Sequence, residues 1–318
     1  MGTSTRKSPS LLLATALAAI AACASLAAGA LPSTAPSSSP ALPPIDGATT
    51  LLVVAPHPDD ETLCCAGVIQ RVARAGGHVS VVWITSGDAE RMGLLLNEKV
   101  LFPSPSRARQ FGVQRMAEAR AATSLLGVQP SGQLFLGYPD GRVLGLLGGN
   151  PAELQRSGTT GATSVPYADA LFPGHPYNGE NLERDFAAVL ERVRPTLILA
   201  PSPQDSHPDH RAAGLLTMAV SRRGLTTAQV RYWIVHGGEG WPSPRELLAG
   251  VPLNPAPLSR GLEPAPFAVE PGEEDLQLEA LQAYRTQMVL MAPFLLAFVR
   301  TEELFSTLAQ APVRPSAW

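Results

Sequence analysis

The sequence predicts an α/β fold built on a mostly parallel sheet, and three observations predict it. Residues 51–55, LLVVA, form an unbroken apolar run of strand length, as expected for a strand buried on both faces. A helical pattern from about Glu61 to Ala75 follows, stopped by Gly76-Gly77, and residues 78–85, HVSVVWIT, supply the next strand. The same alternation returns further along the chain, and strand–helix–strand alternation gives parallel strands joined by right-handed crossovers.

The remaining elements follow in order. A loop with a short helical patch fills 89–113, and a helix covers 114–126, ending at Gly127. Gln133–Leu136 reads as a third strand running into the turn Gly-Tyr-Pro-Asp-Gly at 137–141. Residues 142–178 are rich in Gly, Pro, Ser and Thr and read as a long loop over one edge of the sheet. Residues 180–193 carry apolar positions at Leu182, Phe186, Val189, Leu190 and Val193, the spacing of an amphipathic helix. Thr196–Ala200 is another buried strand, and the polar loop Pro201–His210 leads into a helix ending near Arg222. Val230–Val235 is a further strand, followed by a Pro-rich crossing at 242–271. A long helix is expected from about Glu274 to Leu290, interrupted by Pro293, with a terminal helix over Phe294–Leu308. No internal repeat of domain size is present.

Of the 318 residues, those from 46 to 318 are expected to form one domain. Hydrophobic content of 45% and charged content of 16% suit a globular chain with a full core. A net charge of −3 gives no field strong enough to imply nucleic acid as a partner. Residues 1–30 read as an export signal. Arg6 and Lys7 are basic, Leu11–Ala22 is apolar but short for a spanning helix, and Ile20-Ala21-Ala22-Cys23 has the order of a bacterial lipobox. Cys23 is then the lipidation site and the anchor is a lipid rather than a spanning helix; the rival reading is ordinary cleavage at Ala28-Gly29-Ala30 and release into the periplasm or medium. Residues 31–45 are a Pro/Ser-rich tether. The other two cysteines, Cys64 and Cys65, are adjacent, have no further partner for a disulfide or thiolate site, and read as buried small hydrophobes.

Two short motifs carry the chemistry. The strand at 51–55 delivers His57-Pro58-Asp59-Asp60, and the strand ending at Ala200 delivers His207-Pro208-Asp209-His210. Ligands of open α/β sheets bind at the carboxyl ends of the strands, where both motifs fall. Imidazole and carboxylate together suit zinc or another divalent first-row metal, and a catalytic zinc takes three protein ligands and keeps one position open. Four residues qualify, His57, Asp60, His207 and His210, and spacing alone does not say which stays free. Asp59 and Asp60 could instead cap the helix that follows them. His78 opens a strand and reads as structural, and His175 lies in a loop and reads as solvated. His236 ends another strand at the same sheet edge and suits a substrate contact or a structural role.

APHPDDE followed by HPDH closely resembles the LmbE-like (PIG-L) deacetylases, metal-dependent enzymes that remove acetyl groups from N-acetylglucosamine units. Further matching segments are Thr85-Ser86-Gly87-Asp88, Arg115 with Glu118, Leu136–Gly141, Tyr284-Arg285-Thr286-Gln287 and Glu303–Phe305, so the resemblance covers most of residues 50–310. It implies a Rossmann-like three-layer fold. It implies His57, Asp60 and His210 as ligands to zinc, Asp59 as general base, and His207 as the group that stabilises the oxyanion and protonates the leaving amine. Asp209 is expected to orient one of the histidines, and Arg115, Asp140 and His236 to contact a small-molecule or glycan substrate. Two other classes fit parts of the pattern: a sugar-binding lipoprotein without catalysis, and a non-haem iron oxygenase, which also uses two histidines and a carboxylate. Asp59 beside the ligand set and the parallel α/β pattern argue against the oxygenase.

Overall fold

The computed structural model describes residues 1–2, 41–98 and 104–308. The expected signal, Cys23 and most of the tether lie outside the described residues. The main sheet has five strands: β1 (Thr50–Ala55), β2 (His78–Thr85), β3 (Gln133–Tyr138), β4 (Leu197–Pro201) and β5 (Gln229–Trp233). Their order is β3-β2-β1-β4-β5 and every neighbouring pair is parallel. β1 is central, with Leu51 opposite Val79 on one side and Leu197 on the other. Its residues Leu51 to Ala55 are fully buried, which is why the run carries no polar residue. Each such Val or Leu contributes about 1.5–3 kcal/mol relative to exposure.

Helices cover both faces. α1 (Asp60–Arg74) links β1 to β2, and two helices, α2 (Arg91–Glu98) and α3 (Pro105–Leu125), lie between β2 and β3. α3 begins nine residues earlier than the apolar pattern indicates, because Ser104 caps it, accepting from Arg107 N at 3.4 Å, and Pro105 occupies its first turn. α4 (Val143–Leu147) is short and α5 (Gly179–Val193) is amphipathic, while α6 (Pro208–Arg222) links β4 to β5. The segment between α4 and α5 is packed against β3: Leu171 N donates to Phe135 O at 2.8 Å and the Tyr177 hydroxyl to Gly137 O at 3.0 Å. β5 stops at Trp233, short of the expected Val235, because the next amides turn towards Asp205.

The C-terminal region differs from expectation. The long helix breaks at Tyr284 into α7 (Pro271–Ala283) and α8 (Arg285–Leu296). Pro293 lies inside α8, and Met291 leaves helical geometry (φ −133°, ψ 30°) to accommodate the missing donor. The chain then forms β7 (Glu302–Phe305), antiparallel to β6 (Ala265–Ala268), in place of the expected terminal helix. Buried and partly exposed residues alternate along β7, with Glu303 and Phe305 facing inward. The buried Glu303 carboxylate accepts Gly67 N at 2.6 Å and Val68 N at 3.2 Å, which ties β7 to α1. Cys64 and Cys65 are buried on α1 as expected, but they are bonded to each other as a disulfide. Adjacent cysteines can pair with each other, so the lack of a third partner does not keep them as thiols. No helix among the described residues is long and apolar enough to cross a membrane.

Candidate metal centre and active site

In this strand order the chain reverses direction across the sheet between β1 and β4, and a crevice opens at the carboxyl ends of these two strands. The first motif leaves β1 and the second leaves β4, so the topology alone brings them face to face. Asp59 stands at the start of α1 with φ 125° and ψ −30°, a backbone conformation that costs a non-glycine residue about 1–3 kcal/mol. It makes no side-chain cap bond to the helix, so the capping reading does not hold for it. The surrounding structure fixes the turn instead. Asp59 N donates to Glu61 Oε2 at 3.3 Å, and Glu61 itself accepts from Trp83 Nε1 at 2.8 Å, Thr62 Oγ1 at 2.7 Å and the Tyr284 hydroxyl. The second motif is fixed by its own helix: His207 caps α6, with Nδ1 accepting from Asp209 N at 3.2 Å.

His57, Asp60 and His210 converge. Asp60 Oδ2 lies 3.3 Å from His57 Nδ1 and 3.2 Å from His210 Nε2, and the His210 ring is wholly buried. Both His210 nitrogens lack a hydrogen bond of good geometry, although Nδ1 is 3.3 Å from Asp205 Oδ2. His57 Nε2 faces two further carboxylates, Asp140 Oδ1 at 3.2 Å and Asp209 Oδ2 at 3.4 Å. Asp209 also accepts Gly141 N at 2.7 Å and Val143 N at 3.0 Å, which anchors the turn after β3. His207 and His236 complete a cluster of four rings, each 5.1 Å or less from a neighbour between centroids. His236 stacks on Phe294. His175 is elsewhere, half-exposed and paired with Asp185 at 3.0 Å, and His78 is exposed at the start of β2.

The charges of the site are unbalanced. Asp59, Asp60, Asp140, Asp205 and Asp209 are all buried, against a single guanidinium, Arg115. Burial opposes protonation of His57 and His210, but the carboxylates outweigh it: Asp140, Asp209 and Asp60 hold His57 well above its ordinary value, and Asp60 and Asp205 hold His210 up at about 9. The surplus negative charge thus favours the protonated form of both imidazoles. A divalent metal would supply that positive charge directly. Surplus carboxylates, two converging imidazoles and the orphaned Nε2 of His210 fit such an ion. Among the described residues three overlapping groups have ligand atoms close enough to hold one: His57 with His207 and His210, Asp60 with His210 and His236, and His57 with Asp140 and Asp209; the expected set of His57, Asp60 and His210 is divided among these groups and is not itself one of them.

Burial pushes Asp59 up to about 7 in spite of Arg115. Burial, with His57 and His210 adding to it, pushes His207 down to about 4. His207 is therefore a neutral imidazole at neutral pH. Its Nδ1 is occupied as an acceptor, so Nε2 carries the hydrogen.

Two of the expected substrate contacts are engaged within the protein. Asp140 accepts Ala89 N at 2.8 Å and faces His57. Arg115 is 3% exposed and bonds to Asp59, Pro58 and Gly87. His236 lines the cleft. Asp205 belongs to the site although no sequence motif marks it. One of its oxygens accepts His207 N at 2.9 Å, and the other accepts Val235 N and His236 N at 3.0 Å each while facing His210. The only sequence sign of it is an Asp two residues before a histidine in a polar loop, the spacing of an Asx turn. The cleft above these groups has a volume of about 300 Å³. Asp59, Asp60, Arg115 and Asp140 line one part of it, and Val235, Met291, Phe294 and Leu295 line another.

The family model for PIG-L, described as GlcNAc-PI de-N-acetylase, matches residues 52–221 and so takes in both motifs. A 1D-myo-inositol 2-acetamido-2-deoxy-alpha-D-glucopyranoside deacetylase from Mycobacterium sp. (strain KMS) is 30% identical over 192 residues, 60% of this chain and 56% of that one. The protein of the same name from Thermobifida fusca is 26% identical over 264 residues, 76% and 84% of the two chains. The chain spans a little over half the length of the first of these curated relatives. Among solved structures, an N,N'-diacetylchitobiose deacetylase from Pyrococcus horikoshii aligns with a TM-score of 0.49 and 19% identity, covering 81% of this chain and 83% of that one. A conserved protein from Thermus thermophilus aligns at 0.46 and 24%, covering 85% and 100%. With more than half of the chain inside the family model, and both motifs placed at the switch point of a parallel sheet, this protein belongs to the PIG-L family of GlcNAc-PI de-N-acetylases.

Proposed function

We propose that the protein is a zinc-dependent hydrolase that removes an acetyl group from the amide nitrogen of an N-acetylated amino sugar or glycoconjugate. One observation supports this above the others: a strained carboxylate, Asp59, stands directly beside a two-histidine, one-carboxylate set at the floor of an open cleft. His57, Asp60 and His210 would hold the zinc. When bound, the ion would polarise the amide carbonyl and acidify a water molecule.

The protein groups divide the rest of the work. Asp59, held near neutrality, accepts a proton from the attacking water. His207, neutral and with its hydrogen on Nε2, donates a hydrogen bond to the oxyanion of the tetrahedral intermediate. The family resemblance assigns proton delivery to His207 as well. Its depressed pKa favours the oxyanion half of that role, and Asp59 is the better group to return the proton to the leaving nitrogen. Asp209 orients His57.

The cleft suits a sugar-sized substrate, and the names of the Mycobacterium and Thermobifida relatives point to the same class. Export with a lipid on Cys23 would place the activity on envelope or environmental glycans. The test is acetate release by the zinc-loaded protein from a panel of N-acetylated sugars. Binding of these sugars without acetate release would favour the sugar-binding reading instead.

A further inference from the structure

Glu61 is wholly buried one residue past Asp60, and among the described residues no basic side chain pairs with it. A buried carboxylate without a cation is costly and persists only where hydrogen bonds compensate it. Here four donors converge on its two oxygens. Oε1 accepts from Thr62 Oγ1 at 2.7 Å and from the Tyr284 hydroxyl. Oε2 accepts from Trp83 Nε1 at 2.8 Å and from Asp59 N at 3.3 Å. The donors belong to the Asp59 turn, the first turn of α1, β2 and the junction between α7 and α8. Trp83 is itself fixed, fully buried and stacked on Phe135 with ring centroids 4.3 Å apart. Tyr284 is also fully buried, and it is not among the residues that line the cleft.

We propose that Glu61 is a positioning residue that holds the Asp59 turn against β2 and the α7–α8 junction, with the Tyr284 hydroxyl as its remote anchor. Asp59 keeps φ 125°, and such a conformation persists where the surroundings over-determine it. The carbonyl of Asp59 is held by its own helix, accepting Thr62 N and Leu63 N at 3.0 Å each. The amide of Asp59 is held by Glu61. Helix capping accounts for that one bond only; Trp83 and Tyr284 lie on other elements and set where the carboxylate stands. A glutamine could not take its place unaided. It offers one acceptor oxygen, so its amide hydrogens would meet one pair of the four donors. Without the Tyr284 hydroxyl that pair reduces to Thr62 Oγ1, which can turn to accept. The catalytic part of this inference rests on Asp59 acting as the base; the positional part does not.

The test uses the zinc-loaded full chain with Glu61→Gln, Tyr284→Phe and the double variant. Glu61→Gln should lower kcat by about 10²-fold and Tyr284→Phe by about tenfold, the scale of a small misplacement of a reacting group, with KM within about twofold and zinc content unchanged. The double variant should turn over at least about fivefold faster than Glu61→Gln alone, because the amide then fits. A purely structural role would move the melting midpoint and leave kcat of the folded enzyme intact. Unchanged kcat in Glu61→Gln, zinc lost together with kcat, or a double variant no faster than Glu61→Gln would each overturn the proposal. A second readout needs no turnover. Amide hydrogen exchange in the peptide spanning residues 57–63 should be at least about tenfold faster in Tyr284→Phe than in the wild type, with exchange in β1 unchanged. Equal exchange in that peptide would also overturn it. If the wild type hydrolysed no N-acetyl sugar, the proposed function would fail while hydrogen exchange still decided the positional claim. If Glu61→Gln did not fold, Tyr284→Phe, which deletes a single hydroxyl, would carry both measurements.

Discussion

Glu303 offers a quantitative test of how the C-terminal strand is held. Its carboxyl group is buried against α1, where it accepts the amides of Gly67 and Val68, and burial pushes its pKa from an ordinary 4.5 up to about 8. The sign follows from proton counting. Between pH 4.5 and 8 the folded chain keeps a proton on Glu303 that the unfolded chain has released. Stability from this group is therefore complete below pH 4.5 and is lost as pH rises through 8. The span from 4.5 to about 8, at about 1.4 kcal/mol per pH unit, bounds the loss at roughly 5 kcal/mol. At about 2–4 °C per kcal/mol for a domain of this size, that is on the order of 10 °C in melting midpoint. Glu303→Gln removes the titration and keeps an acceptor for Gly67 N. The assay is thermal unfolding of both proteins at about pH 5, 7 and 9, values chosen to bracket the two pKa positions. The variant should lie near or below the wild type at the acid end and above it at the alkaline end. Parallel curves across the range would refute the burial argument for this residue.

Further outcomes follow from the site geometry and, for Cys23, from the order of residues in the N-terminal segment. His210→Ala removes a proposed ligand from the floor of the site, so zinc and acetate release should be lost together; stoichiometric zinc retained in that variant would show the ligand set to be wrong. Asp205→Asn weakens the group that faces His210 Nδ1 and secures the amides of His207, Val235 and His236, and should reduce zinc affinity by about 10–100-fold in a chelator competition. Cys23→Ser should release the protein from membranes or leave its signal uncleaved; unchanged fractionation, with no lipid label on the wild type, would remove the lipoprotein proposal.

The fold was most legible in the sequence where one physical signal dominated. LLVVA reads as a strand buried on both faces, and it lies at the centre of the sheet. The chain alone puts both HPD motifs, with His57, Asp60, His207 and His210, at the carboxyl edge of the sheet; that they meet follows from the adjacency of β1 and β4, which only the fold supplies. The C-terminal strand is not. Leu304 and Phe305 sit in a stretch too short to show a period of two, and β7 exists because β6 pairs with it and Glu303 reaches α1. Pro293 suggests an interruption, but a kink at Met291 absorbs it. The start of α3 is encoded, in Ser104-Pro105, and is masked by an apolar pattern that begins later. Arg115 shows a different limit. A residue type and its motif do not say whether a guanidinium turns to solvent, to a sugar or to Asp59, since that depends on the glycine it rests over and on the path of the loop after β2.

Two adjacent, chemically identical side chains divide the labour at the centre of the proposed mechanism. Asp60 touches both proposed histidine ligands, whereas Asp59 turns away to Arg115 with its backbone strained. The measurement is zinc content and acetate release for Asp59→Ala and Asp60→Ala side by side, with Asp59→Asn as the volume-conserving control. Asp59→Ala should keep its zinc while deacetylation falls by at least about 10²-fold, and Asp60→Ala should lose zinc affinity. An empty site in Asp59→Ala with zinc retained in Asp60→Ala would exchange the two roles, and near-normal turnover in both would contradict the hydrolytic mechanism itself.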